Sequence, residues 1–361
     1  MSVKPASDIS AIKGFIENQD RKLINQTLNS LDIATDPDIQ VLRNVRSPLA
    51  LNKMTVDNGI RPLNTDIETA KGGRKWSKRV LTPRGGMKII KMIPEELRET
   101  FMSDMLDVNA KEVPFAEWVW AQEFAKIKEE INTNIYESEY HDEPGIFNPA
   151  STYPAGALVY FNEIIYRKVG AGSTTAGQSP ATHPALWADV DAAVICDGPG
   201  TIIEQAIADG DLLTAGSGGA FDQDNAYEAI MDMWATVPEA HKNLGMVANV
   251  SFGTQQDLAI NLNAKFGTGA GIGNVDVEEG TRFKLKGTGG RLIIAPKTWM
   301  GASSRIIMTP KGNGVLGMDQ VSNVNKVGKV VEFLHGYRAI VKWMMGFQYR
   351  DLEVLYVNDQ D

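Results

Sequence analysis

"DNAYEAIMDMWATVPEAHKNLGMVANVSFGTQQDLAIN", residues 224–261, decides the fold, because it reads as helix, strand and helix in that order. Tyr227, Ile230, Met231 and Trp234 recur at helical spacing and define one apolar face. The run "LGMVANVS" follows as a strand. Ser251 then stands as the N-cap of "FGTQQDLAINLNAKF", where its hydroxyl can accept a hydrogen bond from the first helical turn. The alternation predicts a mixed helix and sheet domain that begins near Asp191. Its first helix is "GTIIEQAIADG", followed by the glycine-rich loop "TAGSGGAFDQD". Downstream, "RLIIAP", "SRIIMTP", "KVVEFL" and the long "YRAIVKWMMGFQYRDLEVLYVND" read as strands.

Upstream, the chain is organised by charge. Residues 69–91, "TAKGGRKWSKRVLTPRGGMKIIK", hold eight Lys/Arg and no acid. Two Gly-Gly pairs make this an extended, glycine-hinged loop or hairpin. Residues 95–143 invert the sign, with fourteen Asp/Glu against four Lys/Arg. Within them "PFAEWVWAQEFAKIKEEINTNIYES" predicts a long helix. Pro114 suits its first position, Trp120, Phe124, Ile127, Ile131 and Ile135 form one apolar stripe, and the outer face is acidic. Residues 1–45 read as a mobile arm with one amphipathic helix marked by Ile16, Leu23, Ile24, Leu28 and Leu31.

With 361 residues, 43% of them hydrophobic, the chain is long enough for two or three domains. A net charge of −9 argues against a generic nucleic-acid binder. The single cysteine, Cys196, excludes an internal disulfide framework and suits a reducing cytosol. No signal-peptide core and no apolar window of membrane-spanning length occur, so secretion and membrane insertion are not expected.

Catalytic patterns are missing. His141, His183, His241 and His335 are not in metal-ligand spacing, and the paired acids Glu95/Glu96, Glu129/Glu130, Asp142/Glu143 and Glu278/Glu279 are sequence neighbours that do not converge on one atom. The GxGxxG-like run at 267–272 follows a helix, not a strand, so it does not read as a phosphate cradle. No cofactor, no metal and no enzymatic activity are expected. The basic stretch has two readings: contact with nucleic-acid phosphates, or contact with a neighbouring copy. The second is favoured, with Lys71, Arg74, Lys75, Lys78, Arg79, Arg84 and Lys88 lying on the acidic helix of the next subunit, at Glu117, Glu123, Glu129 and Glu130.

In order and local pattern, residues 224–261 and "RIIMTPKGNGVLGMD…YRAIVKWMMGFQYRDLEVLYVND" (305–359) resemble major capsid proteins of tailed bacteriophages of the Hong Kong 97 type. The resemblance implies an α+β fold with an arm at 1–45, an extended loop and the start of a peripheral domain at 46–110, and a spine helix and linker at 111–143. An axial domain at 192–304 and a return to peripheral strands at 305–361 complete it. It implies many copies assembled as hexamers and pentamers into an icosahedral shell around double-stranded DNA, in the host cytoplasm and then the virion. Portal, scaffold and decoration proteins are the implied partners. Some relatives weld subunits through Lys–Asn bonds, for which Lys71, Lys75, Lys78 and Asn358 are the available residue types.

Residues 144–191 are set apart as an inserted, small all-β domain. "YPAGALVYFNEIIYRKVGAGSTTAGQSPATHPALWADV" (153–190) resembles chitin-type carbohydrate-binding modules of families 5 and 12. That resemblance implies an outward projection, with Tyr153, Tyr160, Tyr166 and Trp187 as candidate glycan contacts. Phe147 and Ala157 depart from the family pattern, and the alternative is that the aromatics are simply the core of the domain. Two other functions stay open at this point: a free-standing glycan-binding adhesive protein, and an encapsulin-like compartment built on the same fold.

Overall fold

In the computed structural model, residues 224–261 form the helix Ala226–Thr236, the short helix Glu239–Lys242, the strand Met246–Val250 and the helix Phe252–Phe266. The structure describes residues 22–62, 71–92, 115–141, 144–193, 195–212, 221–266, 282–319, 326–327, 331–333 and 336–358. Pro114, the run at 267–272 and most of the glycine-rich loop at 214–224 lie outside them. The chain divides into two units, one of residues 1–31, 84–201 and 323–343, the other of residues 32–83, 202–322 and 344–361.

The second unit is built on a five-stranded sheet in the order Phe283–Lys284, Leu292–Pro296, Met246–Val250, Ile307–Pro310, Tyr356–Val357. The central strand is parallel to Leu292–Pro296 and antiparallel to Ile307–Pro310. All five of its residues are buried, as a strand covered on both faces must be. Ile230, Met233 and Trp234 of one helix and Leu258 and Leu262 of the other bury against Met246, Ala248, Val250, Ile294 and Met308. Each large apolar side chain buried there contributes roughly 1.5–3 kcal/mol. Tyr227 and Met231 sit at the edge of this core, whereas Met233, absent from the sequence-level face, is inside it. Ser251 caps the second helix as expected, its hydroxyl accepting from Thr254 N at 3.3 Å.

Also in this unit, Ile39–Arg43 runs parallel to Gly314–Met318, which pairs antiparallel with residues 345–349. The last part of what reads as an arm is therefore a sheet strand: Val41 and Leu42 are half-buried, with Val41 opposite Leu316, 275 positions away in the chain. Residues 1–21 lie outside the described residues. The helix at 22–29, in the first unit, buries Ile24 and Leu28.

The first unit holds the spine helix, Phe115–Asn134, which buries Val119, Trp120, Phe124, Ile127 and Ile131. Its strands are Arg84–Met92, Lys326–Val327, Val331–Phe333 and the first half of the long strand Gly336–Tyr349, to which the other three pair. The Trp343 indole packs against Gly86, where a Cβ would come within 2.6 Å of the ring, so a larger residue would force the indole to shift. Residues 145–189 add a separate four-stranded sheet in the order Gly145–Ile146, Leu158–Phe161, Ile164–Lys168, Trp187–Asp189. Its central hairpin turns at Asn162 and Glu163, both at positive φ, the geometry that matches strand twist in a two-residue turn.

Candidate functional site

The basic stretch is not a hairpin closed on itself. Arg74–Leu81 pairs antiparallel with the upstream strand Leu49–Val56, over eight residues from Leu49 opposite Leu81 to Val56 opposite Arg74. Alternation puts Ala50, Asn52, Met54, Val56, Arg74, Trp76, Lys78 and Val80 on one face. Near the base, the opposite face buries Leu51 and Leu81 against Val45 and Val315.

The base is clamped by polar contacts. Lys53 Nζ reaches Asp351 at 2.7 Å and Glu353 at 2.5 Å. Burial alone would lower the Lys53 ammonium, but the hydrogen bonds and charges of these two carboxylates outweigh it and raise it. The Arg79 guanidinium donates twice to Gln348 Oε1, at 3.2 and 2.9 Å, and the Gln348 amide donates to Val80 O at 3.2 Å. Burial pulls Arg79 down from its ordinary value, against the weaker opposing charges of Asp211 and Asp351. Toward the tip, Lys71, Arg74, Lys75 and Lys78 are exposed and hold no ion pair among the described residues.

The expected pairing with the acidic helix occurs within the chain for one residue. Lys88 Nζ lies 3.3 Å from Glu130 and 3.7 Å from Glu123 of the same subunit. Sequence distance hides this: the strand Arg84–Met92 lies beside the helix and delivers Lys88 to it directly. Glu129 pairs with Lys126 one turn away at 2.8 Å, and Glu117 is exposed. Arg84 stacks its guanidinium 3.8 Å from the centre of the Tyr140 ring. Of the seven cations expected to reach a neighbour, Arg79, Arg84 and Lys88 are thus engaged inside their own chain, and Lys71, Arg74, Lys75 and Lys78 remain presented.

In the 145–189 sheet the aromatics turn inward. Trp187 is 5% exposed, its indole N–H donates to Gln178 O at 3.1 Å, and its ring meets Phe147 and Tyr153 edge-on at 6.0 and 5.5 Å. Tyr153 is half-buried, stacks on Phe147 and accepts from Asn148 N through its hydroxyl at 2.7 Å. Tyr166 is half-buried against Phe161. A sheet this small needs its large side chains inside, which takes Trp187 away from any sugar-stacking role. Tyr160, 40% exposed beside the exposed Ile146, is the member of the set that faces solvent.

Asn358, the residue type required for a Lys–Asn weld, is buried. Its Oδ1 accepts from Ile306 N at 2.6 Å and its Nδ2 donates to Ser304 O at 3.2 Å, so the amide is committed to its own unit. The Cys196 thiol is fully enclosed and pushed up to about 12 by burial, with the Asp197 charge adding, which leaves it protonated and unreactive. Among the described residues, no three His, Cys, Asp or Glu side chains gather as a metal site, and no helix is long and apolar enough to cross a membrane.

No protein-family model matches the chain, and no curated protein sequence does. Solved structures do. A chain of the satellite phage P4 procapsid, a particle that includes the size determination (Sid) protein, overlaps with a TM-score of 0.50 at 9% identity, over 94% of this chain and 90% of that one. The capsid of Myoviridae phage XM1 follows with a TM-score of 0.45 at 11% identity, covering 89% of each chain. The capsid of a native GTA particle also gives 0.45, at 10% identity, over 89% of this chain and 87% of that one. Identity this low speaks to architecture alone, and of these three overlaps the first reaches one half. The chain has the mixed helix and sheet fold found in a phage procapsid.

Proposed function

We propose that this chain is a structural subunit that assembles in many copies, as hexamers and pentamers, into the icosahedral shell of a tailed bacteriophage enclosing double-stranded DNA. The observation that carries the reading is the shared fold over nearly the whole chain. The presented cations of the hairpin support it independently. A two-stranded ribbon is marginal on its own, and a stretch of Lys71, Arg74, Lys75 and Lys78 without acids invites an acidic surface of a neighbour. Partner-dependent burial of such an extension is what a repeating shell supplies.

Self-association measured by light scattering across salt tests this. The wild-type chain is expected to form capsomers or shells at low salt that loosen as salt rises. Replacing all four hairpin cations by serine removes rim contacts of about 0.5 kcal/mol each, about 2 kcal/mol together, which weakens association about thirty-fold per subunit interface. A chain that stays monomeric at every concentration and salt, alone and with the remaining virion proteins co-expressed, contradicts the reading.

The 144–191 insertion is proposed as an outward projection of each subunit. A glycan-binding role for it rests on the exposure of Tyr160. The measurable consequence is retention on chitin or mucin that Tyr160→Ala removes. Retention that is equal for wild type and Tyr160→Ala, or absent from both, ends that part of the proposal.

A further inference from the structure

The hairpin has two unlike faces. The face shared by Met54, Val56, Trp76 and Val80 is open along its whole length, with Trp76 72% and Val56 59% exposed. Met54 and Trp76 are directly opposite in register and form its centre, while Arg74 and Lys78 flank Trp76 on the same strand and the same side. An exposed tryptophan between two cations, on a ribbon face that the described residues leave uncovered, is the pattern of an anchor surrounded by a charged rim.

We infer that this face, centred on Trp76, is a docking surface for a second copy of the chain, with apolar burial supplying the affinity and Arg74 and Lys78 the orientation. The inference rests on the shell reading above and adds to it which face of the hairpin makes the contact and through what chemistry. Charge identifies the occupant. Residues 69–91 carry +8, so the rest of a chain whose total is −9 carries −17, and another copy is the matching acidic protein surface. Phosphates would satisfy Arg74 and Lys78 equally well, but they give Met54, Val56 and Val80 nothing to bury against. The exposed apolar row favours a protein partner over nucleic acid.

Sedimentation of the full chain across low and high salt separates the alternatives, with a short DNA duplex titrated in parallel. Trp76→Ser leaves the monomer fold intact, because the side chain is exposed, and circular dichroism verifies this. It is expected to weaken self-association at least about thirty-fold at every salt concentration. Trp76→Phe should retain most of it, the joint variant Arg74→Ser and Lys78→Ser should lose only the salt-sensitive part, and duplex affinity should not respond to Trp76. Wild-type assembly that Trp76→Ser leaves unchanged overturns this inference and leaves the shell reading standing. A Trp76→Ser variant that loses duplex binding while keeping self-association assigns the face to nucleic acid. A wild-type chain that never associates overturns both.

Discussion

Gly198→Ala is expected to yield little soluble, folded protein. A Cβ at this position would stand 2.0 Å from the Ile135 carbonyl oxygen and 2.5 Å from that of Tyr136. Both obstacles are backbone, so no side chain can swing aside. Here the chain leaving the spine helix is crossed by the start of the helix Pro199–Ala208. Gly198 N donates to Ser138 O at 2.6 Å, and Gly200 N donates to Tyr136 O at 2.9 Å, so forcing the two segments apart breaks buried hydrogen bonds as well as packing. The combined cost is on the order of 3 kcal/mol or more. Soluble yield and the thermal midpoint by circular dichroism measure it. A variant melting within about 2 °C of wild type, a shift corresponding to under about 1 kcal/mol, contradicts the close crossing.

Lys297→Met is expected to lower the thermal midpoint by about 6–20 °C, from about 3–5 kcal/mol lost when a buried ion pair is left with one partner. Lys297 is 5% exposed and its Nζ lies 2.6 Å from Asp36 Oδ1 and 2.7 Å from Asp38 Oδ2. The Trp299 indole N–H donates to Asp36 Oδ2 at 2.8 Å, and Arg282 reaches Asp38 Oδ1 at the same distance. Burial alone would raise the Asp38 carboxyl, but the hydrogen bonds and charges of Lys297 and Arg282 prevail and hold it below the ordinary range. A depressed carboxyl stabilises the fold above its unfolded value and loses that contribution as pH falls through the folded value. Removing Lys297 leaves both carboxylates without the cation they share, and takes from Asp38 the leading influence that lowers it. The gap between wild type and variant should therefore narrow between pH 7 and about pH 3, where wild type loses the contribution of its depressed Asp38 carboxyl. A variant equally destabilised at both pH values would show that the loss is packing alone.

These two sites mark the limit of what local pattern reveals. Helices such as Ala226–Thr236 and the spine helix were legible because their apolar residues repeat at helical spacing, and Ser251 was legible as a cap because its bond is local. Residues 69–91 were legible as an extended loop or hairpin, but the pairing of 74–81 with 49–56 was not, since pairing across an intervening loop leaves no periodic trace. The two charge runs were legible, but not that the fold brings Lys88 to Glu123 and Glu130 within one chain. The Lys297 network joins residues 261 positions apart, which no motif announces. In the 145–189 sheet, the resemblance to carbohydrate-binding modules implied glycan contacts at Tyr153 and Trp187 with a core role as the alternative, and here Trp187 is buried and Tyr153 half-buried against it. Trp76 was passed over because a lone tryptophan among lysines has no periodic partner. Its significance depends on Met54 lying opposite across the ribbon.

The central claim, that this chain builds a closed shell, is tested most directly by electron microscopy of the purified protein at low salt, with and without co-expression of the remaining virion proteins. The account predicts closed icosahedral particles whose hexamers and pentamers are formed by this chain, with the hairpin of each subunit seated on a neighbour by its Trp76 face and the 144–191 sheet on the outer surface. Discrete monomers or small soluble oligomers under both conditions would contradict it.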